Sequence, residues 1–213
     1  MRCYPVQLEI AGPTAMWTRP DTGDAPTSYP APTFSAVKGI FESVLWLQSA
    51  EVCPTRVEIC APLVYNNYTT NYGGPLRKSD QITDGNNYQM IATVLINVCY
   101  RLYGEVRSQV NPSDALSSRA RAWSGVNGGH AYQEMFEDRL RKGRFHQTPC
   151  LGWQEFVPDY LGSFRPETQV QDDLTFVLPS MLYAVFPGPK RSPRAPQFRQ
   201  NVRIEKGVLN YAS

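Results

Sequence analysis

Between Val37 and Leu45 the apolar residues Val37, Ile40, Phe41, Val44 and Leu45 recur at spacings of three and four, with Lys38, Glu42 and Ser43 off the stripe. That period belongs to an α-helix turning one apolar face toward a sheet. Thr33 is placed to cap its first turn, and Pro30 and Pro32 stiffen the approach by fixing their own φ and pushing Tyr29 and Ala31 toward extended geometry. Gly39 sits in mid-helix at a cost of roughly 1 kcal/mol relative to alanine, which points first to tight helix–sheet packing and otherwise to close approach by another backbone or a ligand. Elsewhere the period is two. Val6 to Ala11 alternates as a first strand ended by Gly12-Pro13, Arg56 to Val64 as a second, and Val94 to Val106 as a long third that pairs antiparallel with the second. A second helix begins near His130 with Tyr132, Met135, Phe136 and Leu140 as its apolar face. Gln154 to Val157 and Leu174 to Phe186 read as further strands, and Val202 to Tyr211 as a short hairpin.

Strand, helix, strand, strand, helix, strand is the ferredoxin-like (RRM-like) order, an α+β arrangement with one antiparallel sheet, both helices on one face and the other face free. Two stretches fall outside it. Residues 65–88 carry Tyr65, Tyr68, Tyr72 and Tyr88 among asparagines, glycines and the pair Arg77-Lys78, with no core-forming pattern, and read as an arm projecting from the sheet. Asn111 to Asn127, rich in serine with Pro112 and Gly125, reads as a linker or flexible loop. With 213 residues and 42% apolar content the chain reads as one domain, residues 1–213, with a thumb insertion at 65–88 and a basic C-terminal extension at 188–213.

Charge sharpens this picture. The net charge is only +2, yet Lys190, Arg191, Arg194, Arg199, Arg203 and Lys206 face Glu205 alone near the end of the chain, a balance suited to a polyanion. Arg139, Arg141, Lys142 and Arg144 gather at the end of the second helix, where cations also complement the helix dipole. The five cysteines, Cys3, Cys53, Cys60, Cys99 and Cys150, are scattered without a Cys-x-x-Cys pair and read as buried thiols of a reducing, cytoplasmic compartment. The first residues alternate as a strand and lack the apolar core of a signal peptide. The most apolar window, Met90 to Tyr100, is broken by Asn97 and falls short of the ~20 residues that cross a bilayer, so no membrane association is expected. With two histidines in the chain, no metal site and no cofactor is expected. Nucleophile-elbow, Walker and dinucleotide signatures are also missing. The tyrosine-rich arm fits nucleic acid, since aromatic faces stack on unpaired bases for roughly 1–3 kcal/mol each.

Two ordered groups of motifs carry a resemblance. Gly12-Pro13-Thr14-Ala15-Met16-Trp17-Thr18-Arg19-Pro20 leads into Ser28 to Trp46, and Gly128-Gly129-His130 is followed by Arg141-Lys142-Gly143-Arg144-Phe145 and by Gln147-Thr148-Pro149-Cys150-Leu151-Gly152-Trp153-Gln154-Glu155-Phe156. They resemble the CRISPR-associated family five proteins (Cas-five), especially the subtype I-C branch, over residues 1 to about 187 and most weakly between 64 and 90. The resemblance implies the ferredoxin-like fold of a repeat-associated RNA-binding superfamily. It also implies a structural subunit of a type I Cascade complex in antiviral defence, which grips the 5′ handle of the CRISPR RNA and caps the filament of backbone subunits. The large subunit is expected to dock beside it, and target DNA to be met only through the complex.

Trp17, Arg19, Tyr29, Lys38, Tyr65, Tyr68, Tyr72, Arg77, Lys78, Arg141 and Arg144 are the expected RNA contacts. His130, behind two glycines at a helix start, is the candidate general acid or base for metal-independent RNA cleavage, and the resemblance places it in the branch's ribonuclease site. However, Gly129 stands where the branch has lysine and Leu45 where it has tyrosine or histidine, so Lys142 or Arg144 would have to substitute. RNA binding without cleavage is therefore the first reading, with a processing endoribonuclease as the alternative and a protein-interaction scaffold as a third.

Overall fold

In the computed structural model, which describes residues 4–47, 50–74, 77–108, 128–185 and 195–211, two long strands form the spine. β1 (Tyr4–Ala15) runs antiparallel to the third and longest of the sequence-predicted strands, which spans Tyr88–Ser108, from Tyr4↔Val106 to Ala15↔Leu95. The first strand does not end at Gly12-Pro13 as expected. Pro13, which has no N–H to donate, falls opposite Asn97, where the partner strand itself turns to a φ of 53°, so the missing bond coincides with a kink and pairing resumes at Thr14.

Val6, Leu8 and Ile10 bury one face of β1, and against it pack two helices. α1 (Phe34–Val44) is capped by Thr33, whose side chain accepts the Ala36 amide at 3.2 Å, and buries Val37, Ile40, Phe41 and Val44 as its spacing predicts. Gly39 differs from expectation: it is exposed, and a Cβ added there meets nothing within 4 Å. β2 (Ala50–Ile59) pairs with the far half of the spine strand from Ala50↔Ser108 to Ile59↔Tyr100, with a bulge at Pro54.

The polar stretch expected to be an arm is itself a strand. β3 (Val64–Tyr72) pairs with the near half of the spine strand, here β4 (Tyr88–Ser108), from Val64↔Ile96 to Tyr72↔Tyr88, and the short α2 (Ser79–Thr83) lies in the connection. β2 and β3 thus line the same flank of β4, separated by residues 60–63. The second predicted helix is α3 (Gly128–Lys142); Tyr132, Phe136 and Leu140 are buried, and Phe136 meets Phe41 with ring centroids 5.8 Å apart. Residues 109–127, including the whole of the expected linker, lie outside the described residues.

Gln154 to Val157 is not a strand. The chain makes a tight turn there, Leu151 N to Phe156 O at 2.7 Å, because Gly152 takes φ 97° with its α-carbon against the Met16 carbonyl, where a Cβ would overlap. Four short strands complete the sheet: β5 (Tyr160–Gly162), β6 (Phe176–Ala184), β7 (Gln197–Glu205) and β8 (Val208–Asn210). Its order is β5-β1-β4-β2-β8-β7-β6, with β3 added to β4. The described part of the basic C-terminal segment therefore builds one flank of the sheet. That flank curls back over α1: Leu182 N donates to the Tyr29 hydroxyl and Ser35 Oγ to Tyr183 O, both at 3.1 Å, and Phe34 stacks on Tyr183 at 4.3 Å.

The face opposite the helices was expected to be free and is partly covered. Glu9 on that face is fully buried beneath the segment after β5, accepting from Arg165 Nε at 2.6 Å, Arg165 N at 3.1 Å and Thr168 Oγ1 at 2.8 Å. Arg101 Nε approaches the same carboxylate at 3.4 Å and its Nη2 binds the carbonyls of Arg165 and Thr168. Phe164 lies on Tyr103. Among the described residues no helix is long and apolar enough to cross a membrane.

Candidate nucleic-acid interface

The β3–β4 ribbon has two unlike faces because successive side chains alternate. On one, Met90, Ala92 and Val94 are buried and Tyr68 packs edge-on against Phe156 at 5.2 Å and Trp153 at 6.4 Å, while Glu155 holds the Tyr68 hydroxyl and pushes that phenol's pKa up. Trp153 is itself pinned by its Nε1 to Thr18 Oγ1 at 3.1 Å. The motif that ends in Trp153-Gln154-Glu155-Phe156 is thus the platform on which the ribbon rests. The other face carries Tyr65, Asn67, Thr69 and Ile91, with Tyr65 43% and Ile91 57% exposed. At the far end Tyr72 meets Tyr88 at 5.4 Å, and Arg77 ties the turn together through Gly74 O and Asn86 O, leaving Lys78 exposed beside it.

Two of the expected RNA contacts are core residues. Trp17 is 2% exposed with its Nε1 on the Tyr100 hydroxyl at 3.1 Å, and Tyr29 is 3% exposed with its hydroxyl holding Leu182 N, so neither ring has a face to offer a base. Tyr68 is committed to Phe156 and Trp153. Among the cations, Arg19 pairs with Asp21 at 2.7 Å, Lys38 with Glu51 at 2.7 Å and Glu42 at 3.9 Å, and Arg141 and Lys142 share Asp138 at 2.7 and 2.8 Å. Arg144 is exposed beside an open groove formed with Glu134, Asp138 and Phe145. The expected contacts therefore divide between the open ribbon face with Arg19 near it, the ribbon's end, and the far end of α3.

His130 stands in the first turn of α3, its Nε2 3.2 Å from Glu134 Oε1 and its ring 6.2 Å from that of Tyr4. Gly129 is buried against the Tyr4 ring so closely that an added Cβ would lie 2.4 Å from Cδ2; the phenol ring occupies the space a side chain at 129 would need. Leu45 is 2% exposed, and its carbonyl accepts the hydroxyl of the buried Tyr132, whose pKa burial drives far upward. The expected substitution by Lys142 or Arg144 fails on distance. Twelve helical residues separate His130 from Lys142, about 18 Å at 1.5 Å each, and Arg144 lies beyond.

Two exposed aromatics among the described residues, Trp46 and Phe198, were not among the expected contacts. Trp46, 37% exposed just past α1, stacks on His146 at 6.2 Å and 22°, and the backbone N–H of His146 donates to Ser43 O at 2.8 Å. The available signal was an aromatic immediately beyond the apolar stripe. Nothing in the spacing linked it to a histidine a hundred residues on.

A curled antiparallel sheet with two helices packed on one face, a two-stranded ribbon extending from its centre and aromatic and basic groups along that ribbon describe an α+β scaffold with a polar, aromatic surface for binding. The chain belongs to the CRISPR-associated Cas5 family, whose profile matches residues 6–175. A relative from Thermus thermophilus, the CRISPR pre-crRNA endoribonuclease Cas5d, is 26% identical over 168 residues, 78% of this chain and 66% of that protein, so the chain spans just under two thirds of its relative's length. The fold is shared with a CRISPR-associated protein of known structure at TM-score 0.66 and 15% identity, over 100% of this chain and 95% of that one. A chain of a CRISPR RNA-guided surveillance complex matches at TM-score 0.52 and 15% identity, over 97% and 91% of the two chains.

Proposed function

We propose that this chain is the RNA-handle-binding subunit of a type I, I-C-like Cascade complex, gripping the 5′ handle of the CRISPR RNA and capping the filament of backbone subunits. The large subunit docks beside it, target DNA is reached only through the complex, and the setting is cytoplasmic. Family membership supports this reading, as does the likeness in fold to a chain of a surveillance complex. Within the larger sheet, β5-β1-β4-β2 with α1 and α3 as its helices follows the ferredoxin-like strand order. The observation that carries the proposal is the β3–β4 ribbon acting as a thumb. Docking on Trp153 and Phe156 holds it rigid, and its opposite face presents Tyr65 with Asn67 and Thr69, a ring to stack on an unpaired base between amide and hydroxyl groups that read base edges.

Cleavage of precursor RNA is the second reading, favoured by the named activity of the Thermus relative and by the exposed His130–Glu134 pair. Against it, Leu45 is buried, Gly129 is closed off by Tyr4, and assistance from one general acid or base is worth only about 100- to 10,000-fold. Single-turnover incubation of the purified protein with labelled repeat RNA in EDTA decides between them. We expect retention of uncut RNA. Metal-independent cutting at one position, abolished in His130→Ala, would establish the endoribonuclease instead, and its loss in Tyr4→Phe as well would make the Tyr4 phenol the second proton-transfer group.

A further inference from the structure

Cys60 and Cys99 lie opposite each other on neighbouring strands. Cys60 follows directly on β2 and its amide donates to Cys99 O at 2.8 Å, which sets the two cysteines side by side across the strands. A hydrogen-bonded cross-strand pair sets its α-carbons about 5.5 Å apart, inside the span a disulfide bridges. Both side chains are partly exposed. Their surroundings are unequal: Cys99 Sγ has Arg165 Nη2 at 3.7 Å and Glu9 Oε1 at 3.8 Å, whereas Cys60 Sγ points to Glu58 O at 3.6 Å. The neighbouring Cys60 thiol, with Arg165, draws the Cys99 thiol below its usual range against the opposition of burial and Glu9, while Cys99 and burial push Cys60 up. RNA binding as proposed above uses neither sulfur.

We infer that Cys60 and Cys99 form a thiol-modification site that takes up low-molecular-weight disulfides and closes to an intramolecular disulfide, with Cys99 as the attacking and Cys60 as the resolving sulfur. The Cys99 thiolate attacks one sulfur of oxidised glutathione, forming a mixed disulfide and releasing one glutathione thiolate, which takes the proton Cys99 has lost. Cys60 then gives up its proton and attacks the Cys99 sulfur, displacing the second glutathione, which leaves with that proton. Two protein thiols are oxidised and one glutathione disulfide is reduced to two thiols. The bridge falls where β2 gives way to β3, two residues along β4 from the kinked Asn97, and so ties the root of the β3–β4 ribbon to the sheet.

The test is to equilibrate the full chain with oxidised glutathione and map its cysteines by mass spectrometry under non-reducing conditions. The wild type should lose two hydrogens and yield one linked peptide pair, Cys60 with Cys99. Cys60→Ser should instead accumulate a stable glutathione adduct on Cys99, Cys99→Ser should leave Cys60 at least tenfold less modified, and Cys53→Ser or Cys150→Ser should still form the bridge. A persistent glutathione adduct on Cys99 in the wild type, a bridge to any other cysteine, or faster modification of Cys53 or Cys150 would overturn the assignment. The wild-type map alone decides it if a serine variant fails to fold.

Discussion

Tyr65 and Tyr68 stand three residues apart on one strand and have opposite roles, a difference that pleating makes unavoidable. Tyr65→Ala should weaken handle binding by about 1–3 kcal/mol, the cost of one lost base stack, and leave the melting temperature nearly unchanged. Tyr68→Ala removes a ring from the Trp153–Phe156 platform and should lower stability by about 1–3 kcal/mol, measured by urea denaturation. If instead Tyr65→Ala binds RNA as the wild type does, the open face is not the interface. Glu9 gives a second residue-level test. Burial works against its charge, but the hydrogen bonds from Arg165 and Thr168 outweigh it and hold the carboxyl below its usual 4.5. The stability Glu9 contributes is thus complete above its unfolded pKa and is lost as pH falls through the lower folded value. Glu9→Gln should destabilise by about 1–3 kcal/mol at pH 7, less than for a fully buried pair because Arg165 is 35% exposed, and the gap to wild type should narrow below pH 4.5. A gap that is constant with pH would mean that the carboxylate charge contributes nothing.

At the scale of elements, legibility followed burial. The Thr33 cap and the apolar stripe of α1 could be read because both are local, although Ser43, placed off the stripe, is buried with its hydroxyl on Ile40 O, and Leu45 already lies past the helix end. β1 and the far half of β4 were readable because one face of each is core. β3 was read as an arm projecting from the sheet and not as a strand, because its own side chains are polar; the apolar residues that seat the ribbon, Met90, Ala92 and Val94, come from β4, and Phe156 from a turn remote in sequence. Trp17 and Tyr29 were misread for a related reason. Each carries a polar group whose partner, Tyr100 or Leu182, lies far along the chain, so in isolation they look like loop aromatics. Gly39 was misread in the opposite direction, as the mark of a close contact. With open space over it, Gly39→Ala should raise stability by about 0.5–1 kcal/mol through helix propensity alone. A loss of stability in a thermal melt would mean that something does approach the helix there.

For the molecule as a whole, a net charge of +2 hides a division between committed and available cations. Lys38 is engaged by Glu51 and Glu42, and Arg141 by Asp138, whereas Lys78 and Arg144 stand exposed. Handle binding should weaken with salt, each phosphate contact contributing about 0.7 to the logarithmic slope on a single strand. Lys78→Ala and Arg144→Ala should each flatten that slope, and Lys38→Ala should leave it unchanged. Equal slopes in all three variants would remove these cations from the interface.

The curl of the sheet bears on assembly in a further way. A filament grows when every member offers two complementary ends, and it stops at a member that offers one. Here the outermost strand of the curled flank has its Leu182 amide and Tyr183 carbonyl engaged by Tyr29 and Ser35, and the opposite border is only three residues long, too short to template a neighbour. The outer edge of β3, nine residues with pairing on one side, is open to a further strand. Strand addition would therefore find the ribbon edge accessible, away from the border that folds back over α1.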